Sequence, residues 1–154
     1  MSDPLVETWE IHARINGYLI QALSPPALSA VAGSKGRTVG EALAHVHNVR
    51  LMWLQAAAPD LLAGLDKIEK DGRLTPAGLI KALDGTTAAI TQLVTRSLSA
   101  GGKVKGFKPH VHAFVGYLIS HESHHRGQIA LALKQSGQAL DKKIAYGMWE
   151  WGSR

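Results

Sequence analysis

Between residues 114 and 133, apolar side chains and two histidines share one stripe. Phe114, Leu118, His121, His125, Gln128 and Ala132 recur at intervals of three and four, which is the period of an α-helix. Positions i and i+4 point the same way, one turn apart. His121 and His125 can therefore offer two imidazoles to one ion, and zinc and similar metals accept such nitrogens at about 2.0–2.1 Å. Two ligands from one helix leave a metal under-coordinated, so a chain built around this stripe needs a facing helix.

Three further segments carry a helical pattern between start and stop signals. Residues 4 to 23 form a predicted first helix. Pro4 suits a first turn after Ser2 or Asp3, and Leu5, Trp9, His12, Asn16 and Leu19 share a face continued by Leu23. Ser24-Pro25-Pro26 ends it, because proline cannot continue a helix. A second helix is predicted from about 39 to 57, stopping before Pro59. Thr38 serves as its N-cap, and Glu41 three residues on completes a capping box. Residues 58 to 74 read as a connection with a short helical piece around Leu61 to Glu69. Thr75-Pro76 opens a third helix, striped by Leu79, Leu83, Thr86, Ile90, Leu93 and Val94 and ending before Gly101-Gly102. Pro109 is expected to open the fourth, which runs to about Gln135 with Gly137 as its C-cap. The tail from Asp141 to Arg154 holds Tyr146, Trp149 and Trp151, aromatics that are costly to leave in water, so it is expected to pack back on the body. No strand is predicted. The expected fold is all-α, a four-helix bundle forming one domain over residues 1–154.

Composition narrows the chemistry. The 154 residues include no cysteine, which excludes disulfides, thiolate metal sites and cysteine nucleophiles. Any metal must be held by histidine, carboxylate or water. No apolar run reaches membrane-spanning length and the N-terminus lacks a signal-peptide pattern, so a cytoplasmic protein is expected. The formal charge of +5 is dispersed. Only Lys103, Lys105 and Lys108 cluster, as expected of a solvated loop. There is no basic recognition helix and no aromatic stacking platform, so neither nucleic acid nor membrane is expected as a partner.

The third ligand is left open by periodicity. His121, Glu122 and His125 spell H-E-x-x-H, in which metallopeptidases use the glutamate as general base. The only carboxylates downstream are Asp141 and Glu150, and no edge strand is predicted to hold a peptide, which leaves a peptidase as a minor alternative. On the second helix, His45 and His47 point about 200° apart, given 100° per residue. His47 shares its side with Leu43, Leu51 and Leu54. His45 shares a more polar side with Glu41, Asn48, Val49 and Met52. His12 on the first helix is a further candidate, though a hydrogen-bonded histidine near the core edge is its plainer role. Glu122 lies about 100° from His121, off the metal stripe. Gln128, one turn beyond His125, is placed to support a ligand, while Arg126 and Gly127 read as structural.

Leu43-Ala-His-Val-His-Asn-Val-Arg-Leu-Met-Trp-Leu54 and Ile119-Ser-His-Glu-Ser-His-His-Arg-Gly-Gln-Ile129 resemble the two motifs of the DinB/YfiT-like superfamily. The resemblance implies a four-helix bundle with a three-histidine metal site. One histidine comes from the second helix, ahead of a tryptophan, and two come from H-x-x-x-H on the last helix. Trp53 lies eight residues after His45, so the match implies His45, His121 and His125 as ligands of a divalent ion. Zinc or nickel is expected first, although three histidines also suit copper or iron. The resemblance further implies homodimers. It also implies, for some members, transferase or isomerase chemistry on low-molecular-weight thiols such as bacillithiol or mycothiol. A metal-stabilised, non-enzymatic stress-related homodimer is the alternative. No catalytic side chain is singled out. Because a liganding imidazole must be neutral, metal affinity is expected to fall as pH drops below about 6.

Overall fold

The computed structural model describes residues 1–33 and 35–154. Helix α1 (Pro4–Gln21) starts where Asp3 caps Leu5 N, with proline in the first turn. It stops two residues short of the expected end, and a 3-10 turn over Pro25–Ser29 follows. Helix α2 (Val39–Ala57) carries the expected capping box, with Thr38 and Glu41 bonded to each other's backbone N–H. An antiparallel bridge between Val31 and Thr38 pins the base of the preceding loop. Helix α3 (Pro76–Ser99) begins at the Thr75 cap.

Helix α4 (Val111–Gln135) ends as predicted near Gln135. Gly137 there adopts φ 72°, Gln138 N–H reaches Leu133 O, and Gly137 N–H reaches Lys134 O. This pair of bonds satisfies carbonyls that the last turn would leave orphaned.

Three expectations need correction. Residues 103–110 hold a short antiparallel hairpin, β1 (Lys103–Val104) with β2 (Phe107–His110). Pro109 sits in its second strand, and His110, not the proline, caps α4 through Ala113 N–H. A two-stranded hairpin with proline on an edge is compatible with the ladder, because proline is excluded only where its missing N–H is needed. The helical piece expected over Leu61 to Glu69 shrinks to a 3-10 turn at Pro59–Leu62. Side chains of α2 satisfy the backbone beyond it instead. Asn48 pairs with both the N–H and the C=O of Ile68, and His47 Nε2 contacts Asp66 O at 2.8 Å. Finally, the tail returns to the body only in part. Within α5 (Lys142–Gly147) and the 3-10 turn that follows at Trp151–Ser153, Gly147 is buried against Tyr18, and Arg154 stacks over the Tyr18 ring at 3.9 Å. Tyr146 and Trp149 stay largely exposed, at 71% and 80%.

α1 and α2 each pack against both α3 and α4. Their apolar faces form two clusters. One gathers Leu19, Leu43, Val46, Leu83, Ile129 and Leu133. The other gathers Trp9, Leu54, Ile90, Phe114 and Leu118. Each of the four long helices contributes one polar turn between these halves: His12 and Asn16 on α1, Arg50 on α2, Thr86 on α3 and Glu122 on α4, all buried. The bundle core is thus two apolar layers separated by a polar one.

Candidate metal centre

His45 from the middle of α2 meets His121 and His125 from successive turns of α4. His121 Nε2 lies 3.3 Å from His45 Nε2 and 3.2 Å from His125 Nε2. The three nitrogens all fall within 4.8 Å of one another. Two nitrogens about 2.05 Å from one tetrahedral ion would stand about 3.3 Å apart, so both short separations match a shared cation.

The His125 tautomer supports the same geometry. Gln128 Oε1 lies 2.9 Å from His125 Nδ1, which it engages as an N–H donor, leaving the Nε2 lone pair facing the other two rings. Such a partner on the far ring nitrogen fixes a liganding imidazole's tautomer and orientation. His121 Nδ1 is buried and finds no partner. Among the described residues no carboxylate joins the group.

All three imidazoles are biased toward the neutral form that a metal requires. Burial is the main cause for each. Arg37 and then His121 add to it at His45. At His121, the attraction of Glu122 opposes it, while His124 and Arg37 reinforce it. His125 is pushed down furthest, to about 4, by burial, against the Gln128 hydrogen bond and with the neighbouring His121, His45 and His124 rings. Below the site, Trp53 packs edge-on against Phe107, Phe114 and Tyr117 at 5.6 to 5.8 Å. The Tyr117 ring lies nearly parallel to His121. The tryptophan eight residues after His45 therefore builds an apolar wall against α4.

The other candidates are occupied elsewhere. His47 is buried and turned away, toward Asp66 O and Thr86. His12 is buried in the core rather than at its edge, with Nε2 donating to Glu122 at 3.0 Å. His124 is exposed. Glu122 is buried and accepts from His12, Asn16 and Arg50, the last at 2.6 Å and 2.9 Å to its two oxygens. Burial alone would raise its pKa, but the Arg50 charge and hydrogen bonds outweigh this and hold it at about 2. Arg126 donates to Asn16 and Ser123 and approaches His12. It ties α4 to α1, the structural role expected of it.

Sequence reasoning singled out neither Tyr117 nor Arg37. Tyr117 lies four residues before His121, on the metal stripe, so the helical period could have found it. Arg37 immediately precedes the Thr38 cap of the helix that carries His45. Spacing alone carried no signal for it.

The fold and the motif positions agree with a known class. The DinB family model matches residues 1–142, and the chain belongs to the DinB family. The structure is similar to a crystal structure of a DinB-like protein from Bacillus cereus. The TM-score is 0.66 at 16% identity, covering 89% of this chain and 93% of that one. No curated protein matches. No helix among the described residues is long and apolar enough to cross a membrane.

Proposed function

We propose that the protein binds one divalent ion, zinc or nickel, through His45, His121 and His125, and acts as a metal-dependent transferase on a low-molecular-weight thiol. The convergence of three Nε2 atoms from two facing helices carries this reading. Three neutral ligands leave at least one coordination position for water or substrate, as catalytic sites do and closed structural sites do not. A bound ion of this kind lowers the pKa of a coordinated water or thiol, supplying a nucleophile near neutral pH.

The chain's own residues hold and shape the place. Gln128 orients His125, and the Tyr117 ring, backed by Trp53 and Phe107, lies beside His121. Glu122 cannot serve as a peptidase-type base, since both its oxygens are held by donors in the core. The thiol assignment rests on the superfamily resemblance together with the open site.

Elemental analysis of natively purified protein tests the first half, with one equivalent of metal expected and none in His45→Ala. Conjugation of a thiol to an electrophile, with and without chelator, tests the second. Metal uptake without thiol turnover would leave a metal-binding protein and sink the transferase. We also propose a homodimer. Met52 on α2 is 55% exposed beside the half-buried Val49. A monomeric mass by light scattering at high micromolar concentration would contradict it.

A further inference from the structure

Among the described residues no carboxylate converges with the three histidines. A divalent ion held by three neutral imidazoles keeps its full charge, and the nearest carboxylate on α4, Glu122, is turned into the core and paired with Arg50. His45 opens onto a cleft of 410 Å³ that Arg37, Lys67 and Lys70 also line. Arg37 borders a second cleft of 330 Å³ as well, on the α4 side, with Lys35 and Gln128.

Two acids, Glu41 and Glu69, share the first cleft. Glu41 is engaged at the Thr38 backbone in the capping box. Among the described residues, Lys35, Arg37, Lys67 and Lys70 are all exposed and form no ion pair. Cations thus outnumber acids around His45 even before a metal is added. Arg37 and His45 line the same cleft. A guanidinium is planar, always charged and suited to a carboxylate fork.

We infer that the substrate of this site is an anion: a small thiol carrying a carboxylate, its sulfur directed to the open metal position and its carboxylate to Arg37, with Lys67 and Lys70 adding to the attraction. The inference rests on the proposed metal site and names the substrate class for it.

The test uses the full-length protein loaded with cobalt(II), whose sulfur-to-metal charge-transfer band reports thiol binding. Cobalt stoichiometry is measured first. Three probes follow: mercaptoacetate, neutral 2-mercaptoethanol and cationic cysteamine. Mercaptoacetate is expected to bind about tenfold more tightly than 2-mercaptoethanol, cysteamine most weakly, and the preference should shrink as salt rises. Arg37→Gln should cost mercaptoacetate about fivefold, the scale of one solvent-exposed ion pair. It should leave 2-mercaptoethanol affinity and cobalt stoichiometry unchanged, as should Lys81→Gln on the exposed side of α3.

Equal affinity for the three probes overturns the inference. A mercaptoacetate preference that survives both Arg37→Gln and Lys67→Gln also overturns it, because the carboxylate would then be chelating the metal. Failure to take up cobalt at all overturns the metal site itself, and the anion inference falls with it.

Discussion

On the core side of α4, Glu122 has both carboxylate oxygens occupied by donors from α1 and α2. One residue earlier, His121 points its Nε2 at two more ring nitrogens and leaves its Nδ1 without a partner. The first cluster is buried, closed and satisfied. The second sits at the edge of a cleft and brings three ring nitrogens together at separations that suit a shared cation. A helix turns 100° per residue, enough to separate the two. Buried polar groups that are all paired hold a structure together, whereas converging unpaired donors indicate a ligand. The contrast also shows that the glutamate of the H-E-x-x-H spelling belongs to the scaffold.

Breaking the closed cluster should have the largest effect. Glu122→Ala strands the buried Arg50 guanidinium and is expected to cost about 3–5 kcal/mol in urea unfolding. His45→Ala should do the reverse, abolishing stoichiometric metal while costing about 1 kcal/mol or less in the metal-free protein, since His45 is only half-buried. Should these two variants swap phenotypes, the division of labour across α4 is wrong.

His47→Ala separates packing from ligation on α2. It should leave metal stoichiometry intact and cost about 1–3 kcal/mol through the stranded Asp66 carbonyl and the cavity left behind. Gln128→Leu should weaken metal affinity about 10-fold to 100-fold without changing stoichiometry, by freeing the His125 ring. Competition with a chelator of known affinity would measure it.

The closed cluster also sets a dependence on acid. Glu122 titrates at about 2 in the folded chain against an ordinary 4.5, so the unfolded chain takes up this proton first. The stability it contributes is complete above pH 4.5 and drains as pH falls towards 2. Urea midpoints across that window should decline less steeply in Glu122→Gln than in the wild type.

Helices α2, α3 and α4 were legible because their caps are chemical: Thr38 with Glu41, Thr75 with Pro76, and Gly137 leave a written sign of where the backbone must change. The histidine triad was legible for two reasons. The i, i+4 pair follows from helix geometry, and the choice of His45 over His47 came from the resemblance. Elements satisfied by distant partners were not legible. The 65–69 stretch is stabilised by Asn48 and His47 from another element, so its own residues say little. The hairpin at 103–110 is short enough that a few backbone bonds fix it without any alternating pattern. The depth of Glu122 and His12 was also hidden, because a buried charge is visible only once Arg50, two helices away, is known to meet it.

Arg50 reaches all four helices. From α2 it bonds Glu122 on α4, donates to Leu83 O and Thr87 Oγ1 on α3, and lies 4.8 Å from the Trp9 ring on α1. Sliding α2 against α4 by one turn, about 5.4 Å, would break the Arg50–Glu122 contact and part His45 from His121 together. No helix can then peel away while the others stay intact. Amide protons in the middle turns of all four helices should therefore exchange with solvent at one common, slow rate, set by opening of the whole bundle, while those of the 65–69 segment and the C-terminal tail exchange far sooner.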